Sequence, residues 1–129
     1  MNFKLYQINL TRDEINNFNE SRPEPRVSAR RDLMVPSLTG KDIVSEKAAK
    51  YMAEGMYDHV ADIVNASNLE DAFFLGQERR EPGERLAHIK MQAESMSSIS
   101  VGDILVDEND YAFVVADFGF NMLPEKITA

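Results

Sequence analysis

Polar and apolar residues alternate at the start of the chain. Tyr6, Ile8 and Leu10 fall on one side of an extended backbone, with Phe3 and Leu5 beginning the other. That spacing predicts a strand over 3–10. Thr11-Arg12-Asp13-Glu14 reads as a capping box, in which the Thr hydroxyl accepts from the Glu14 amide and the Glu14 carboxylate reaches back. The helix it starts would turn Ile15 and Phe18 inward, and Asn16, Asn17 and Asn19 should keep it short. Pro23 and Pro25 are expected to bar a helix across them. Residues 20–40 are therefore expected to form an irregular arm, packed locally through Leu33, Met34 and Val35 and closed by Thr39-Gly40. A loop of that length in a small domain is often functional or ordered by a partner.

Helical spacing returns from about 41 to 54, where Val44, Ala48, Tyr51 and Met52 share a face and Gly55 suits the left-handed residue that ends a helix. Tyr57 to Ala66 alternates as a strand would. It places Val60, Val64 and Ala66 on one face and Tyr57, His59, Ala61 and Ile63 on the other. Asn68 caps a further helix with Glu70 and Asp71 in its first turn, where the helix dipole favours acids. Leu69, Ala72 and Phe73 form its inner side. After a polar turn around Pro82-Gly83, the spacing of Leu86, Ile89 and Ala93 predicts a short helix. Ile104–Val106 and Tyr111–Asp117, joined across Asp107-Glu108-Asn109-Asp110, predict a hairpin. A last strand is expected over 118–123, bent at Gly119 and ended by Pro124. These elements imply one α+β domain over 1–129, with a small, mostly antiparallel sheet of four to five strands and helices packed on one face.

Composition narrows the classes. The chain is 43% hydrophobic and 28% charged, ordinary values for a folded domain. It has no Cys, which excludes disulfide scaffolds, thiolate metal sites and cysteine nucleophiles. The first ten residues lack the continuous apolar core of a signal peptide, and no apolar run approaches membrane-spanning length. A cytoplasmic location is the default expectation. The net charge of -8 is uneven: residues 1–50 hold nine Lys/Arg and seven Asp/Glu, so the remainder carries all the acidic excess. Such a chain would repel phosphates and anionic lipid, so neither nucleic acid nor a membrane is an expected partner. The basic cluster Arg22, Arg26, Arg30 and Arg31 reads either as a solvated connecting arm or as a contact for an acidic partner.

Reactive constellations are scarce. The two histidines, His59 and His88, show no metal-ligand spacing. His59 lies near Asp58 and Asp62, but a regular strand would send these side chains to different faces. No Gly-x-Ser-x-Gly elbow, Walker loop or dinucleotide-binding glycine pattern occurs. The acids of the hairpin turn, Asp107, Glu108 and Asp110, lack the spacing of a calcium loop. They read as turn chemistry that also discourages edge-to-edge pairing. Ser100, Gly102 and Asp103 form a tight turn in the plainer reading, or a small anion-binding loop in the sharper one. Phe73 and Phe74 lie about 100° apart on a helix, so both are buried only under a wide apolar face. Phe74 and Phe120 are thus candidates for a contact with a protein partner or a second copy, as are Met56 and Met122. No metal or cofactor is expected.

Two stretches carry a resemblance. The first is Val60-Ala61-Asp62-Ile63-Val64-Asn65-Ala66-Ser67-Asn68-Leu69-Glu70-Asp71-Ala72-Phe73. The second is Ser97-Ser98-Ile99-Ser100-Val101-Gly102-Asp103-Ile104-Leu105-Val106, followed by Tyr111 and Phe118-Gly119-Phe120. Over about 57–123 the chain resembles small uncharacterised proteins of bacteriophages and plasmid-like elements. The resemblance implies a viral or mobile-element origin and an accessory role, and it transfers no catalytic residue. The leading expectation is an accessory protein that acts without catalysis, by binding another protein or by self-assembly. One alternative is an acidic DNA mimic that inhibits a host nucleic-acid-binding protein. Another is a small enzyme or ligand-binding module using the hairpin carboxylates.

Overall fold

The alternating N-terminal run becomes the centre of the sheet. In a computed structural model, which describes residues 1–34, 42–77, 87–116, 119–124 and 126–127, β1 (Phe3–Gln7) pairs on both sides. One neighbour is β2 (Asp58–Ile63), with Phe3 opposite Ile63, and the other is β4 (Ile104–Val106), with Leu5 opposite Leu105. β3 (Ile89–Met91) lies outside β2, while β5 (Ala112–Val115) and β6 (Phe120–Met122) follow β4. The order is β3-β2-β1-β4-β5-β6, and every neighbouring pair is antiparallel. The architecture is α+β as expected, with six strands in place of four to five.

Period two sorts the buried side chains into two cores. Phe3, Leu5, Ile63, Leu105 and Val115 pack with Ala72 and Leu75 of α4 (Leu69–Leu75). Ile104, Val106, Ala112 and Val114 pack with Ala29 and Leu33 of α2 (Pro25–Met34) and Ala48 of α3 (Asp42–Ala53). The longer helices α2 and α3 thus form a layer on one face, and α4 adds cover to the other. Each fully buried Leu, Ile or Phe in these cores contributes roughly 1.5–3 kcal/mol relative to exposure. α1 (Arg12–Asn19) forms from the capping box as read, the Thr11 hydroxyl accepting from the Glu14 amide and the Glu14 carboxylate from the Thr11 amide. The expected inward face fails, since no α1 residue is buried and Ile15 is 44% exposed.

Four further expectations need correction. The first strand ends at Gln7, short of Leu10. Half of the expected irregular arm is helix α2, with Val27, Ala29 and Leu33 buried. Pro25 opens this helix; at the first position its missing N–H costs nothing and its fixed φ suits the turn. Val35 to Gly40 lie outside the described residues. Strict alternation fails in β2, because the register shifts between Leu5 and Tyr6 and makes Val60 an extra residue. Val60 and Ala61 therefore both enter the core of Phe3 and Leu5. Finally, Ile89 to Met91 is a strand where a helix was expected. Its pairing with β2 supplies backbone bonds that the weak helical spacing could not outweigh. Leu86, the Pro82-Gly83 turn, Asp117 and Phe118 fall outside the described residues.

Candidate functional site

Two regions account for most of the singled-out residues. The first is a buried polar knot around Gly102-Asp103, at the entry to β4. Gly102 has φ +93°, a left-handed backbone that side-chained residues rarely adopt, and an added Cβ would stand 2.8 Å from Leu33 Cβ. Its N–H donates to Val115 O (2.9 Å), and its carbonyl accepts from the Tyr57 hydroxyl at 2.5 Å. Asp103 is only 2% exposed. Its Oδ2 accepts from Gln7 Nε2 and from the Ser100 amide, both at 2.9 Å, and its Oδ1 lies 4.0 Å from Arg30 Nη1. Gln7, also buried, donates to Ser97 O (2.9 Å) and accepts from the Ser97 amide (3.1 Å).

Burial pushes the Asp103 carboxyl up to about 6, while the Ser100 amide, the Gln7 side chain and the Arg30 guanidinium pull the other way. Burial, then the Asp103 charge, raises the Tyr57 phenol far above its ordinary value. An acid that titrates near neutrality is a common ingredient of catalysis. Here it is closed in by protein groups, and the amides of Ser100, Gly102 and Asp103 are spent on internal acceptors. The turn's own carboxylate occupies the place an external anion would take.

The second region is an apolar groove between α4 and the β5–β6 edge. Phe73, Phe74, Val115, Gly119 and Phe120 line it together with Glu70, and it measures about 310 Å³. The Phe73 ring meets Phe74 at 6.2 Å and Phe120 at 6.0 Å, both edge-to-face, which aromatic quadrupoles favour. Phe74 is 53% exposed, and Met122 on the neighbouring edge 58%. The structure thus brings Phe74 and Phe120, singled out separately, to one surface through Phe73.

The four arginines are not brought together as one surface. Arg26 donates to the carbonyls of Met56 and Asn9 (both 3.2 Å) and pairs with Glu14 (3.1 Å) and Asp58. Arg30 donates to Ile8 O (3.2 Å) and faces Asp103. Arg31 lies 5.1 Å from the Phe18 ring centroid, and exposed Arg22 pairs with Glu20 at 3.4 Å. Helix α2 explains the division, since Arg26 and Arg30 are four residues apart and point the same way.

His59 and Asp62, three residues apart, would leave a regular strand on different faces. The bulge at Val60 rotates them together, so that His59 Nε2 lies 2.7 Å from Asp62 Oδ1 while its ring stacks on Tyr6 at 5.2 Å. His88 Nδ1 lies 2.8 Å from Val64 O. In the hairpin turn Asp107 accepts from the amides of Asn109 (2.9 Å) and Tyr111 (3.0 Å), and Glu108 accepts from the Asn2 amide (3.0 Å). Among the described residues no three His, Asp or Glu side chains are grouped to hold a metal ion. No helix among them is long and apolar enough to cross a membrane.

Sequence reading missed the partners of Asp103. Gln7 carried a signal: it shares parity with Phe3 and Leu5, so a polar residue stood at a core-facing strand position. Compared with protein-family models, curated proteins and solved structures, the chain matches none. What its architecture defines is an α+β protein built on a six-stranded antiparallel sheet.

Proposed function

We propose that this chain is an accessory protein that acts without catalysis, by binding another protein or assembling with itself. Its contact surface is the groove of Phe73, Phe74 and Phe120 beside β6. The observation that carries this reading is the convergence of Phe74 and Phe120, from separate elements, on one partly exposed apolar surface at the edge of the sheet. Aromatic side chains in such a setting are the usual anchors of protein contacts. A phage or mobile-element origin, implied by the resemblance over 57–123, belongs to the same proposal.

A small enzyme or ligand-binding module would draw on Asp103, whose carboxyl titrates near 6. Its enclosure weighs against that reading. The DNA-mimic reading has only the overall acidity behind it. The test is photo-cross-linking: a benzophenone amino acid at position 74, and separately at Lys50 on α3, in the cell that expresses the protein. Adducts with one defined species at 74 and none at 50 are expected. No adduct at 74, or equal labelling at both positions, would remove the groove as a contact surface.

A further inference from the structure

The sheet ends in two dissimilar edges. β3 presents Ile89-Lys90-Met91, with a charge in its middle, as edge strands commonly do to block pairing. β6 is Phe120-Asn121-Met122 and carries no charge. In the β5–β6 ladder Ala116 N donates to Gly119 O (2.9 Å) and Leu123 N donates to Ala112 O (2.8 Å). Residues 119, 121 and 123 therefore turn their main-chain groups toward β5. By alternation, Phe120 and Met122 aim their N–H and C=O away from the sheet. Among the described residues no strand lies beyond β6. The chain that follows stays beside the β4–β5 turn, where Ile127 N donates to Asp110 O (2.9 Å). A row of outward donors and acceptors beside an apolar groove fits an extended strand.

We infer that this strand is β6 of a second copy, running antiparallel about a two-fold axis at Asn121. The inference rests on the proposed contact surface and names its occupant. In this register Phe120 stands opposite the partner subunit's Met122, and these two residues exchange both main-chain hydrogen bonds, as does the symmetry-related pair. Side-chain parity agrees. Phe120 pairs with Val115 and Met122 with Phe113, so both lie on the α4 face. The partner subunit's Met122 then covers the open side of the groove next to the Phe120 ring, a favourable thioether–aromatic contact. The strands are neutral, so two chains of net charge -8 meet where neither carries charge. Repulsion between the rest of the two bodies remains, and added salt strengthens the association.

Sedimentation equilibrium of the full chain, from about 1 μM to about 1 mM, spans the Kd range of a small interface. The mass is expected to rise from 14.6 kDa toward twice that value, more readily at high salt. Met122→Lys should weaken association at least about tenfold, because it sets a charge on the shared edge. Met91→Lys, at a 45% exposed position on the opposite edge, should leave association unchanged. Asn121→Cys supplies the sole thiol and tests the register, since position 121 faces its own copy in a closely spaced, non-hydrogen-bonded pair. Oxidation should give a covalent dimer. A monomer throughout, a dimer indifferent to Met122→Lys, or a dimer that oxidation of the Asn121→Cys variant cannot link would each overturn the inference. A strict monomer that still yields adducts with another protein from position 74 would sink this inference and leave the binding reading standing. A strict monomer with no adducts would sink both.

Discussion

The polar knot and the apolar groove reverse the usual division between inside and surface. At the knot, Asp103 and Gln7 are buried and hydrogen-bonded to each other and to the neighbouring main chain. At the groove Phe74 is half exposed, as is Met122 on the neighbouring edge. Perturbed acids suggest chemistry and exposed aromatics suggest contact, but only access decides between them. Asp103 is closed in by its own turn, so its chemistry is turned on the fold. The groove opens outward, so its chemistry is available to a partner.

The contrast is tested most severely at the knot. Gly102→Ala forces a Cβ into Leu33 and a side chain into left-handed backbone, and should cost about 3 kcal/mol in urea unfolding. A cost under about 1 kcal/mol would mean that the turn is not rigidly held.

Next comes pH. The Asp103 carboxyl titrates near 6 in the folded chain, against 3.8 for the unperturbed group. Between those values the folded state keeps a proton that the unfolded chain has lost. Stability contributed by this group is therefore fullest below pH 3.8 and falls as pH rises through about 6, by on the order of 3 kcal/mol. Asp103→Asn should flatten that slope in unfolding curves taken from pH 4 to 7, and an unchanged slope would assign it elsewhere.

Tyr57→Phe removes the donor to Gly102 O and should cost about 1–2 kcal/mol in the same assay. The smallest effect is expected at the groove. Phe74→Ser should change stability by less than about 1 kcal/mol, because the ring is already half in water. A large loss there would make Phe74 a member of the core and collapse the contrast.

How much of this could be read from the sequence follows from the range of each interaction. The capping box at Thr11, the Asn68 cap and the 104–115 hairpin are local, and each is where its residues placed it. Helix α2 stays hidden while Pro25 counts only as a breaker, because proline at the first helical position is a starter. Once α2 exists, the inward aim of Arg26 and Arg30 follows from their spacing. β3 was hidden because its identity depends on β2, far away in the chain, while Leu86, Ile89 and Ala93 mimic helical spacing. The bulge at Val60 has no local marker, and with it the His59–Asp62 pair was out of reach. For the knot, turn chemistry at Gly102-Asp103 was legible, but the bond from Gln7 spans 96 positions and needs the β1–β4 pairing first. Phe74 and Phe120 were recognisable singly as surplus aromatics. Their meeting awaited the placement of β6 beside β5.

Arg26 bears on how the chain reaches this state. One guanidinium gathers Asn9, Glu14, Met56 and Asp58, groups contributed before and after its own helix. During synthesis α2 emerges well ahead of two of those groups. The full set of Arg26 contacts cannot form until residue 58 has left the ribosome. The core that α2 shares with Ile104, Val106 and Val114 is complete only once those residues have emerged as well, so the first helical layer closes late.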